Sequence, residues 1–156
     1  MTEATLRGGS EADRKTILDK HQKYLEANAD FDWVTLRDQL WSASPDATFF
    51  NLNGHTYRGR DQWIALWKFY KGQLTTGFWT PYEIGGVVGA DMATVWCHRK
   101  TKAAWVGSDP RPDGSAHDDR QFVSRSTMVF QKEDGDWRVI HVHFSEHATT
   151  ARPGGI

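Results

Sequence analysis

From Asp13 to Asn28 the positions Ile17, His21, Tyr24, Leu25 and Asn28 recur at helical spacing, which predicts an amphipathic helix with Ser10 and Asp13 available as caps. A second helical stretch from Asp32 to Trp41 gathers Trp33, Leu36, Leu40 and Trp41 on one side, and Ser44-Pro45-Asp46 stops it. Thr48 to Leu52 and His55 to Arg58 read as short strands around the turn pair Asn53-Gly54. Arg60-Asp61 opens a third helix, which Asp61 can cap and in which Trp63, Leu66, Trp67 and Tyr70 form an apolar stripe. Beyond it the period falls to two. Thr80 to Val88, Ala93 to Val106, Phe122 to Gln131 and Trp137 to Phe144 read as four strands, with Gly107 to Arg120 as a long loop rich in Pro, Gly and Asp. Helices followed by an antiparallel meander imply one α+β domain over residues 13–147, with three N-terminal helices packed on one face of a curved antiparallel sheet. The polar segments 1–12 and 148–156 are expected to be flexible.

Composition sharpens this picture in one respect. The 156 residues hold eight Trp, eight Phe and four Tyr, so much of the core volume is aromatic and brings indole N–H groups that need partners. A formal net charge of −1 with no basic run lacks the electrostatic footprint of nucleic-acid binding. No apolar stretch is long enough to span a bilayer, and residues 1–15 lack the apolar core of a signal peptide, so the expected location is cytoplasmic, with no membrane partner. Cys97 is the single cysteine, which excludes an internal disulfide and a thiolate metal cluster.

Arg125, Thr127, the turn Asp134-Gly135, Trp137, the pair His141 and His143, and Ser145 form a pattern that resembles the closing hairpin of the nuclear-transport-factor-2-like superfamily. Within it the pattern is most similar to the SnoaL-like group that includes the association domain of calcium/calmodulin-dependent kinase II. Asn53-Gly54, Tyr57, Gly59 and Arg60-Asp61 are similar to the hairpin that leads into the third helix of those proteins. The resemblance covers about Asp13 to Ser145. It implies a cone-shaped fold with the helices on the concave face of the sheet, a pocket between them, and a homodimer formed through the sheet. Members include isomerases, dehydratases, cyclases and hydrolases as well as proteins without chemistry, so the fold does not choose the function. The kinase association domain carries two pocket arginines; one lines up with Arg99, while Met128 stands at the other position. The Tyr and Asp of ketosteroid isomerase have no recognisable counterparts.

His141 and His143 are two apart on a strand and are read as sharing a face with Trp137, Val139 and Ser145. A two-residue turn at Asp134-Gly135 pairs them with Met128 and Ser126, and a three-residue loop pairs them with Thr127 and Arg125. The second is preferred here because it gathers Arg125, Thr127, His141 and His143 into one polar group. Such a group can hold an anion through Arg125 and move a proton through a histidine; equally, both histidines can be structural. A metal alternative, drawing on His55, His98 and His147 as well, lacks a carboxylate placed by spacing, so no metal and no cofactor is expected. In the Ala93 to Val106 strand, alternation sets Val95, Cys97 and Arg99 on one face and Trp96 and His98 on the other, and Cys97 reads as a small buried residue. Tyr24, Trp33, Trp63 and Trp67 are candidate pocket lining for a flat or apolar ligand, with Thr127 and Arg99 also binding it. The expected function is a cofactor-independent acid/base enzyme of isomerase, dehydratase or cyclase type. Its substrate would be hydrophobic or aromatic with an oxyanion or carboxylate, and His141, His143 and Arg125 would be catalytic. The alternative is a non-catalytic ligand-binding or oligomerisation module.

Overall fold

A computed structural model describes residues 3–107, 120–148 and 150–155. In chain order the elements are β1 (Thr5–Gly8), α1 (Glu11–Ala29), α2 (Trp33–Gln39), β2 (Thr48–Phe50), β3 (Thr56–Arg58), α3 (Gly59–Tyr70), β4 (Leu74–Thr76), β5 (Thr80–Val88), β6 (Met92–Trp105), β7 (Arg120–Glu133) and β8 (Asp136–Glu146). The expected loop from Gly107 to Arg120 falls outside the described residues between 108 and 119.

Sequence periodicity locates α1 well. Ser10 accepts from the Asp13 amide at 3.0 Å, the buried stripe is Ile17, His21, Tyr24, Leu25, Ala27 and Asn28, and the helix ends at Ala29. Asp13 itself accepts from the Trp137 indole at 2.9 Å, which ties the first turn of α1 to β8. In α2 the Asp32 side chain accepts from the Thr35 amide at 3.1 Å. Asp61, expected to cap α3, lies inside its first turn, because Gly59 already begins the helix and the Gln62 side chain accepts from the Arg58 amide.

All eight strands join one sheet in the order β1-β5-β6-β7-β8-β2-β3, with β4 paired to the far end of β6. The long strands β5 to β8 are antiparallel as expected, but the sheet is mixed, since β1 pairs parallel to β5 and β2 parallel to β8. Thr5–Gly8, read as part of a flexible end, is therefore a strand; its Thr-Leu-Arg-Gly run has no alternation that a sequence pattern could report. The helices cover the concave face, where Phe49 and Trp63 stack at 5.0 Å and Trp41 meets Trp67 edge to face at 5.0 Å. Among the described residues no helix is long and apolar enough to cross a membrane.

Two hairpins differ from expectation. At Asn53-Gly54 the loop is Leu52-Asn53-Gly54, with the Gly54 amide donating to Asn51 O at 3.0 Å and Gly54 at φ 82°. At the β7–β8 turn only Asp134 and Gly135 lie outside the Glu133–Asp136 pair, and both have positive φ, 49° and 81°. Further along, Val129 pairs with His141 while Phe130 pairs with Val139, so Ile140 is an extra residue in β8. The bulge sets His143 opposite Thr127 and Ser145 opposite Arg125, a register that neither turn alone produces. It also reverses the alternation: Trp137 and Val139 face inward, and beyond Ile140 it is Val142 and Phe144 that do so. His141 and His143 thus lie on the opposite face from Trp137 and Val139, not on the shared face expected.

Candidate functional site

The cavity between helices and sheet encloses about 60 Å³, room for a few waters, and Tyr24, Trp63, Trp67, Trp79, Arg99 and Phe144 form much of its wall. Arg99 is placed there by the alternation of β6, which turns Val95, Cys97 and Arg99 inward together. Its side chain is 2% exposed. Nε donates to Ser124 Oγ at 2.9 Å and one terminal nitrogen donates to the Tyr24 hydroxyl at 3.1 Å. The guanidinium lies between the Trp79 and Phe144 rings, 4.2 and 4.1 Å from their centres. Tyr24 in turn donates to Asn28 Oδ1 at 2.9 Å. Burial raises the Tyr24 pKa, against the lowering effect of Arg99, so the hydroxyl remains a proton donor at neutral pH. Among the described residues no carboxylate pairs with Arg99.

A second polar layer lies beside this one, one helical turn back along α1 and two residues back along β6. The His21 Nε2 is 3.8 Å from Cys97 Sγ, and Cys97 Sγ is 3.3 Å from Ser126 Oγ. Burial, helped by the positive charge of Arg99, lowers the His21 pKa to about 4, so this imidazole is neutral at pH 7. Burial also pushes the Cys97 thiol up, which makes it a poor nucleophile, in keeping with the reading of a small buried residue. Neither His21 nor Cys97 lines the cavity wall.

The sequence profile of the SnoaL-like domain matches residues 17–149, the span that contains both layers and the whole meander from β5 to β8. The chain belongs to the SnoaL-like domain family. No curated protein matches it significantly. This SnoaL-like domain is similar in structure to a candidate dehydratase of the nuclear-transport-factor-2-like family from Streptomyces avermitilis, at 16% identity over 90% of this chain and 100% of that one, with a TM-score of 0.72. It is similar to a nuclear-transport-factor-2-like superfamily protein from Salmonella enterica at 20% identity over 95% and 100%, TM-score 0.68. The association domain of calcium/calmodulin-dependent kinase II from C. elegans matches at 24% identity over 86% and 96%, TM-score 0.59. At these identities the likenesses establish a shared fold.

The SnoaL-like fold divides the expected site residues between two faces. Tyr24, Trp63, Trp67 and Arg99 meet in the cavity. Trp33 does not; it packs partly buried against the core, its ring centre 4.4 Å from Lys68 Nζ and 5.3 Å from the Arg37 guanidinium carbon. Arg125, Thr127 and His143 lie on the outer sheet face in a groove of about 260 Å³ with Trp96, His98 and Ser145. There Arg125 donates to Ser145 Oγ at 3.2 Å, and His98 Nε2 meets Glu83 Oε2 at 3.2 Å. His141 Nδ1 donates to the Thr48 carbonyl at 2.7 Å and its ring packs on Phe50, so that imidazole fastens β8 to β2. The expectation that the histidines and Arg99 form one pocket fails for a single reason, the extra residue Ile140.

Trp79 and Phe144, which line the cavity, and Ser124, which holds Arg99 from behind, are absent from the expected site residues. Ser124 follows from cross-strand pairing with Arg99, which needs the β6–β7 register. Phe144 alternates with the histidines and was lost with them. Trp79 sits between β4 and β5, outside any periodic run.

Proposed function

We propose that this domain holds a small organic anion, a carboxylate or similar oxyanion on an apolar body, in the helix-covered cavity, with Arg99 as the anchor. The observation that carries this reading is the buried guanidinium of Arg99 with no carboxylate partner among the described residues. A buried charge without a counterion is costly, and a bound anion supplies that counterion through charge-assisted hydrogen bonds. The aromatic walls suit the rest of such a ligand. Isothermal titration at pH 7 with 4-methylpentanoate and benzoate, each beside its neutral amide, tests the reading. The acids are expected to bind at least about tenfold more tightly than the amides; equal binding, or none, overturns it.

Catalysis of isomerase, dehydratase or cyclase type is a second reading, favoured by the Tyr24 hydroxyl beside Arg99 in the same cavity wall. Tyr24 would donate to an enolate oxygen while water takes the carbon-bound proton. The candidate dehydratase among the similar structures lends this reading support. His141, His143 and Arg125 would serve only a substrate bound on the outer sheet face. Deuterium incorporation at C3 of 2-oxobutanoate in D₂O, followed by NMR, separates the readings. Acceleration that Tyr24→Phe removes supports catalysis, and a rate equal to buffer alone leaves binding as the function.

A further inference from the structure

We infer that the ligand is a short oxo-acid or a similar bifunctional molecule, whose anionic group sits on Arg99 and whose second oxygen accepts from the indole N–H of Trp63. The inference rests on the anion reading of the cavity and specifies the other end of the ligand.

Five buried side-chain polar atoms among the described residues lack a partner, and three of them, Trp63 Nε1, Trp79 Nε1 and Thr76 Oγ1, belong to residues that line this one cavity. Buried polar groups are normally hydrogen-bonded, so a concentration of orphans around one space points to something that fills it. The buried indole of Trp137, away from the cavity, has its partner in Asp13. Trp63 is 1% exposed and has no such acceptor.

The orphans fall at two ends. Trp79 stacks on the Arg99 guanidinium, and Thr76 pairs through β4 with Ala103, four residues beyond Arg99 on β6. Trp79 accompanies the anionic group, while Thr76 lies further along the cavity wall. Trp63 comes from α3 and shares Phe144 as a neighbour with Arg99, its ring centre 6.3 Å from that of Phe144 and the guanidinium carbon of Arg99 4.1 Å from the same ring. An N–H offers only a donor, so the group it selects is an acceptor such as a carbonyl. The shared neighbour Phe144 and the small cavity favour a compact chain over a large ring system.

The test compares levulinate with 4-methylpentanoate, two acids of nearly the same shape that differ in a carbonyl against a methyl-bearing carbon. Wild-type protein is expected to bind levulinate about tenfold more tightly. Trp63→Phe keeps a ring against Phe49 and Phe144 and removes the N–H; it should abolish the preference, bringing the ratio of the two affinities from about ten to about one. Should that variant fold poorly, the Trp63 indole resonance in ¹⁵N-labelled wild type gives the same answer, moving downfield with levulinate and not with 4-methylpentanoate. Equal affinities with no selective indole shift overturn the inference and leave the anion reading standing. If neither acid binds, both fall together.

Discussion

Arg99→Met is expected to weaken carboxylate binding by more than about 100-fold while changing the stability of the unliganded protein by no more than about 2 kcal/mol in either direction. Among the described residues Arg99 is buried with two neutral hydrogen-bond partners and no carboxylate, so these residues carry its desolvation cost without a matching ion pair. Met has comparable length, and its thioether suits the slot between the Trp79 and Phe144 rings. The substitution leaves Ser124 Oγ without its donor, a loss of about 1 kcal/mol, whereas Tyr24 keeps Asn28. Loss of the charge offsets this by ending its desolvation. Urea unfolding beside isothermal titration checks both halves. Destabilisation beyond about 4 kcal/mol would mark Arg99 as a structural residue and remove the main support for an anion site.

Acidification from pH 7 to pH 4 should cost up to about 3 kcal/mol of stability through His21 alone. Its folded pKa is near 4, against an ordinary value of 6.5, so the unfolded chain takes up the proton first. The stabilisation is fully present above about pH 6.5 and is lost as pH falls through the window down to 4. Carboxylates with lowered pKa, such as Asp13, held down chiefly by the Trp137 indole, contribute their losses from the ordinary carboxylate value downward, below most of this window. Unfolding free energies at pH 7, 5.5 and 4.5 give the slope, and His21→Gln should flatten it. A wild-type slope no steeper than that of the variant would mean that His21 is not held neutral by burial. Because Arg99 is the second cause of the low value, Arg99→Met should move the imidazole titration, read by NMR, upward toward 6.5.

Most of the scaffold was legible because its signals are local. Helical spacing from Ile17 to Asn28 located α1, and the alternation Val95, Cys97, Arg99 turned the key guanidinium inward without knowledge of any partner strand. The failures share a different character. The Asn53-Gly54 and Asp134-Gly135 turns exchanged loop lengths relative to expectation, since the same dipeptide serves two- and three-residue loops and the flanking pairing chooses between them. Ile140 carries no chemical mark of a bulge, being an apolar residue among Val139, His141 and Val142, yet it decides which face the histidines occupy. β1 pairs in parallel with the distant β5 through Gly85 to Val88, an association no local pattern encodes.

That single supernumerary residue also decides which of two sets of β8 side chains the chamber receives. Drawn into the ladder as an ordinary paired residue, Ile140 would restore plain alternation through β8, turning Val142 and Phe144 out and carrying two imidazoles into the chamber that holds Arg99, whereas deleting it would leave both imidazoles on the outer face. This scaffold is therefore a one-residue slip of the end of β8 along β7, with no residue gained or lost, from a chamber furnished with imidazoles. Such a slip changes the chemistry of the chamber while the length of the chain stays the same.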